Sequence, residues 1–163
     1  MKKDYRELII FGKKEIPKVE SFVEEICDYC NINSEYFGNI LLATIEAIGI
    51  LLSIDLEQES DLISISFDRN PKGLIFCIKR GNIGRESEQQ EDELDLEIRK
   101  YKLSKELFIV KALSDEADIS FNAKSIILVF YVTSMNYEKS LQRISKLKEY
   151  WKKSVTPIKK NNE

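Results

Sequence analysis

At 163 residues, 43% hydrophobic and 33% charged, the chain has the length of a single domain with a two-layer core and is too short for two sizeable ones. The formal net charge of −3 singles out no class of partner, but the charge is unevenly spread. Residues 86 to 97 (ESEQQEDELDLE) hold seven carboxylates and no cation, whereas residues 139 to 160 hold eight Lys or Arg against one Glu. No run reaches the ~18 to 20 apolar residues of a bilayer span, and the first ten residues (MKKDYRELII) lack the features of a signal peptide. Both observations predict a cytoplasmic protein with no membrane contact.

In chain order, RELIIF at 6 to 11 predicts a short strand. Pro17 suits the first turn of a helix, and Val19, Phe22, Val23, Ile26, Cys27 and Cys30 then form one apolar stripe. Cys27 and Cys30 make a CxxC, but they close this helix instead of opening it, so the helix dipole does not lower a thiol pKa there. With one further Cys and no His, they also lack the ligands of a zinc site. Buried, inert thiols in a reducing compartment are expected. Asn33 caps a second helix whose apolar residues from Phe37 to Leu52 leave little polar surface. Ile63, Ile65 and Phe67 alternate with Ser64, Ser66 and Asp68, and an NPKG turn at 70 to 73 leads into LIFCIK, which predicts a β-hairpin.

From Gly84 to about Ile98 no period is sustained, and an irregular solvated loop is expected. A helix follows at 103 to 114, then two strands, ADISF and SIILVFYV, around an Asn-Ala-Lys turn; the second is too uniformly apolar for an edge. Tyr137, Leu141, Ile144, Leu147 and Trp151 stripe a C-terminal helix with basic flanks, followed by a frayed tail. The order β-α-α-β-β-loop-α-β-β-α predicts an α+β two-layer sandwich, a mostly antiparallel sheet with helices on one face.

That order resembles the Bergerat, or histidine-kinase-like, ATPase fold, and two stretches narrow the likeness to the small anti-sigma-factor serine kinases. ILLATIEAIGILLSI is similar to their Glu-Ala-x-x-Asn helix, and ELFIVKALSDEADI at 106 to 119 to their Gly-Ile-Phe-Leu-Ile-Lys-x-Leu-x-Asp-Glu-Val-Glu segment. The likeness covers residues 5 to 133, which implies an ATPase-like domain over 1–134 and a basic helix and tail over 135–163.

The resemblance places the family's general base on Glu46 and its acidic tetrad on Asp115, Glu116, Ala117 and Asp118. Its magnesium-binding Asn falls on Ile50, which cannot hold a metal. The Asp of its Asp-x-Gly-x-Gly motif, an acceptor for the adenine amine, falls on Lys79 or Arg80 in KRGNIG, with Asn82 and Gly84 in the glycine stretch; either cation is a donor. Its phosphate-cradling glycines fall on Ser104 and Glu106, where a carboxylate ~4 Å from a phosphate charge costs on the order of 4 kcal/mol. Ser125 stands where a Thr near the adenine is wanted.

These replacements imply a regulatory protein-binding module that does not bind ATP-magnesium in the family manner and has no cofactor or metal. The implied partners are a sigma factor, a small antagonist domain or a second copy. The alternatives are a working ATP-magnesium-dependent serine kinase using Glu46, and a nucleic-acid-binding adaptor. The acidic surface disfavours the adaptor.

Overall fold

A computed structural model describes residues 5–54, 61–81 and 93–132, together with Ser145, Lys146 and Glu149. Among the described residues the elements are β1 (Arg6–Phe11), α1 (Ile16–Tyr29), α2 (Ser34–Ser53), β2 (Leu62–Asn70), β3 (Gly73–Arg80), α3 (Glu93–Lys102), α4 (Ser104–Leu113), β4 (Glu116–Ser120) and β5 (Ser125–Phe130). The five strands form one antiparallel sheet in the order β1-β2-β3-β5-β4. The expected α+β two-layer class is therefore what the chain adopts. β5 lies inside the sheet, as its unbroken apolar run requires.

Local chemistry sets the boundaries. Pro17 sits at the start of α1. The Asn33 side chain accepts a hydrogen bond of 3.1 Å from the Glu35 amide, satisfying one of the free N–H groups that open α2. Asn70 closes the β2–β3 hairpin by accepting from the amides of Lys72 and Gly73 at 2.8 and 3.0 Å. Ladder partners share a face, so Ile63, Ile65 and Phe67 stand beside Arg80, Ile78 and Phe76. On β5, Leu128 and Phe130 continue that layer from Phe76 and Leu74. Phe76 meets Phe130 edge-on, with ring centroids 5.9 Å apart. α1 and α2 cover this face; α2 packs against α1, α4, β3 and β5.

Three expectations are corrected. The stretch expected to be irregular up to Ile98 is helical from Glu93, because Leu94, Ile98 and Tyr101 recur at helical spacing. Acids in its first turn and bases in its last complement the helix dipole. Residues 82–92 lie outside the described residues. Ser64, expected on the solvated side of β2, is buried, flanked by Ile9 and Lys79. Finally, α2, with 20 residues and mean hydropathy 1.6, is long and apolar enough to cross a bilayer by length and composition alone. Here eight of its residues are buried in the core. Of the expected C-terminal helix only Ser145, Lys146 and Glu149 are described; all three are helical and exposed.

Candidate functional site

The middle of α2, the end of β3 and the first turn of α4 carry the residues singled out by the family resemblance. Glu46 is half-buried on α2, and Lys105 and Glu106 reach its carboxyl electrostatically from α4. Burial is the first cause that pushes the Glu46 carboxyl above its ordinary range; the like charge of Glu106 adds to it, and Lys105 partly offsets both. Glu106 Oε2 is buried and has no hydrogen-bond partner. The group thus holds two carboxylates and one amine. No third metal-binding side chain joins it among the described residues.

Ile50, one turn beyond Glu46, is fully buried in the core. Hydrocarbon occupies the position where the resemblance wants a metal ligand.

Arg80 plays a part that the sequence reading missed. It is buried at the end of β3, on the face that α2 covers. Its Nη1 donates to the carbonyls of Leu51 at 3.0 Å and Ile54 at 2.5 Å, and its Nη2 to Asp61 Oδ1 at 3.3 Å. α2 has no basic residue in its last turn, so Arg80 supplies from the sheet the cation and donors that its free carbonyls need. The signal was available. In the alternation Leu74, Phe76, Ile78, Arg80 the last residue falls on the apolar face, where a charge requires partners.

Ser104 is the exposed first residue of α4. No glycine cradle precedes it: the Leu103 amide donates to the Arg99 carbonyl at 3.0 Å, and its carbonyl accepts from Leu107 at 2.9 Å. α4 therefore begins as α3 ends. Glu106, in the first turn, already places a carboxylate at the positive end of the helix dipole, where a phosphate would otherwise be drawn.

The structure does not bring Ser125 into this group. Ser125 pairs with Lys79 and Ser120, which sets it on the sheet face opposite Arg80. Asp115 accepts from the Tyr131 amide at 2.7 Å and Glu116 from the Tyr131 hydroxyl at 2.6 Å, so these two acids tie the end of β5 to the start of β4. Asp118 is exposed on β4 and Ala117 faces the helices. Asn82 and Gly84 lie outside the described residues.

A cleft of ≈ 520 Å³ opens between Phe11, Gly12, Lys13, Lys14, Leu52 and Asp61, apart from the carboxylate pair. Cys27 and Cys30 are both buried at the end of α1. The Cys27 thiol is pushed up to about 12, chiefly by burial and then by Cys30 and Asp28, so it is not a thiolate at neutral pH.

The raised Glu46 carboxyl has a measurable consequence. In the acid range, where Glu46 is protonated folded and unfolded alike, it carries no penalty. As pH rises through its ordinary value near 4.5 towards the higher folded one, ionisation becomes costlier in the folded chain and stability is lost. Glu46→Gln is therefore expected to gain stability at pH 7 but not in acid, by less than about 1 kcal/mol because water screens a half-exposed carboxylate. Urea unfolding at the two pH values checks this.

The chain has been compared with known proteins in two ways: a scan against protein-family models and a search of curated proteins each return no match.

Proposed function

We propose that this chain is a regulatory protein-binding module built on a histidine-kinase-like ATPase topology, nearest to the anti-sigma-factor serine kinases, and that it works without binding ATP-magnesium in their manner. The observation that carries this reading is the guanidinium of Arg80, committed to the end of α2 at one of the two positions, Lys79 or Arg80, where the resemblance puts that family's adenine acceptor. Buried Ile50 and the Glu106 carboxylate at the start of α4 support it. Under this reading the working surfaces are external, the location is cytoplasmic, and the partner is a protein of the sigma-factor or antagonist type, or a second copy.

Isothermal titration tests it. ATP with magnesium is expected to bind no tighter than about 1 mM, equivalent to roughly −4 kcal/mol. A micromolar isotherm would sink the proposal.

One observation favours a second reading, a working serine kinase: a carboxyl raised by burial beside an amine has the poise of a general base. That reading requires phosphoryl transfer to a protein serine that disappears in Glu46→Gln while the fold persists.

A further inference from the structure

α3 turns its apolar side to water. At 3.6 residues per turn Leu94, Ile98 and Tyr101 fall within about 60° of arc, and they are 62%, 45% and 82% exposed. The partly buried Leu96 and Arg99 lie on the opposite side, together with Leu103 at the junction with α4, which packs against the core. Burial and the helical period therefore agree. The helix rests on its mixed face and presents its apolar stripe outward.

That arrangement is costly without a cover. α3 has ten residues, none of them buried, and α4 is the only described element against which it packs closely. A helix shorter than ~12 to 15 residues is marginal in water unless the packing of an apolar face holds it. Here the apolar face is the one left open.

The charges beside the stripe say what fits it. Glu93, Asp95 and Glu97 occupy the first half of α3, and Arg99, Lys100 and Lys102 the second. Laid antiparallel on a second copy, the acidic half of each helix lies over the basic half of the other, and the two helix dipoles oppose. Laid parallel, acids meet acids and bases meet bases. The pattern also sets the register. Asp95 and Lys102 stand two turns apart on the same flank of the stripe. In an antiparallel pair that flank faces its own counterpart, so Asp95 falls beside the partner's Lys102 and Lys102 beside the partner's Asp95, with Ile98 against the partner's Tyr101 between them. The helix is self-complementary, as a two-fold contact requires.

We propose that α3 is a pairing surface for a second copy of this chain, with the two helices antiparallel, Leu94, Ile98 and Tyr101 of each forming the apolar seam and Asp95 and Lys102 closing it at both ends. The seam is small, well under the ~1,200 Å² of a standard interface, so the dimer forms and separates readily. This gives a surface to the second-copy partner of the reading above. It rests on α3 alone, so the affinity for ATP does not bear on it.

Sedimentation equilibrium of the full chain over ~10 μM to ~1 mM is the experiment, and a reversible monomer–dimer equilibrium is expected. Ile98→Asp, at an exposed position, should leave a monomer with native circular dichroism. Asp95→Lys sets like charges at both ends of the seam, and so does Lys102→Asp; each should weaken pairing on the order of tenfold. A one-to-one mixture of these two variants puts opposite charges back at both ends and should dimerise as the parent does.

A parent that stays monomeric at the highest concentration overturns the inference and leaves the stripe to another part of the chain or to another protein. A dimer indifferent to Ile98→Asp places the contact elsewhere and overturns it as well. If the charge variants lose pairing and their mixture does not regain it, the helices do not meet antiparallel in this register, and the proposal fails.

Discussion

Replacing Arg80 by Met is expected to lower stability by about 3 kcal/mol, or roughly 10 °C in melting temperature for a domain of this size. Methionine keeps much of the buried stem volume and removes the guanidinium. The carbonyls of Leu51 and Ile54 then lose their donors at a site too closed for water to replace them. A hydrogen bond to a charged group contributes ~1.5 to 3 kcal/mol, and relief from burying the charge offsets part of the two. Asp61→Asn should change stability by less than about 1 kcal/mol, because Asp61 is 66% exposed and its ion pair is screened. Urea midpoints of the two variants separate the roles. If Arg80→Met is as stable as the parent, the guanidinium is not needed by α2, and the proposal of a pocket given over to structure loses its main support.

Gly73→Ala should be as damaging, by about 3 kcal/mol. A Cβ built on Gly73 stands 2.0 Å from the Phe130 carbonyl oxygen and 3.1 Å from the Tyr131 Cα. Both are backbone atoms, so no side chain can turn aside; β3 and β5 must part where Leu74 pairs with Phe130, and the Phe76–Phe130 ring contact is strained with them. Gly38→Ala is the control. Gly38 lies in α2 with nothing within 4 Å of a built Cβ, so alanine there should stabilise by ~0.5 to 1 kcal/mol through helix propensity. Thermal melts of the pair measure the contrast.

Most of the architecture was legible in the sequence because its signals are local and periodic. Pro17, Asn33 and the Asn70 turn fix boundaries by backbone chemistry within three or four residues, and alternation around Phe67 and Phe76 gives the hairpin its faces. α3 escaped notice because its apolar positions are sparse and none of its residues is buried, which leaves a weak stripe among acids. The α2–β3–α4 group was legible only in part. Glu46 and Glu106 were named, but their coupling through space to Lys105 depends on how α4 lies against α2. Sequence spacing marks Lys79 or Arg80 only as a cation where an acceptor is wanted, because the partners of Arg80, Leu51, Ile54 and Asp61, are brought to it by the packing of α2 on β3.

The burial of α2 also has a consequence for how the protein is made. A helix apolar enough to cross a bilayer is safe only inside the sheet sandwich, yet β2 through β5 are synthesised after it. At typical elongation rates the 77 residues from Ser53 to Phe130 take about 4 to 15 s to appear, during which the segment has α1 beside it but no complete sheet to cover it. Until the sheet forms, the apolar surface of α2 that it will cover is exposed to water. Substitutions that slow docking of the hairpin should reduce yield through aggregation or misdelivery before they reduce the measured stability of molecules that do fold.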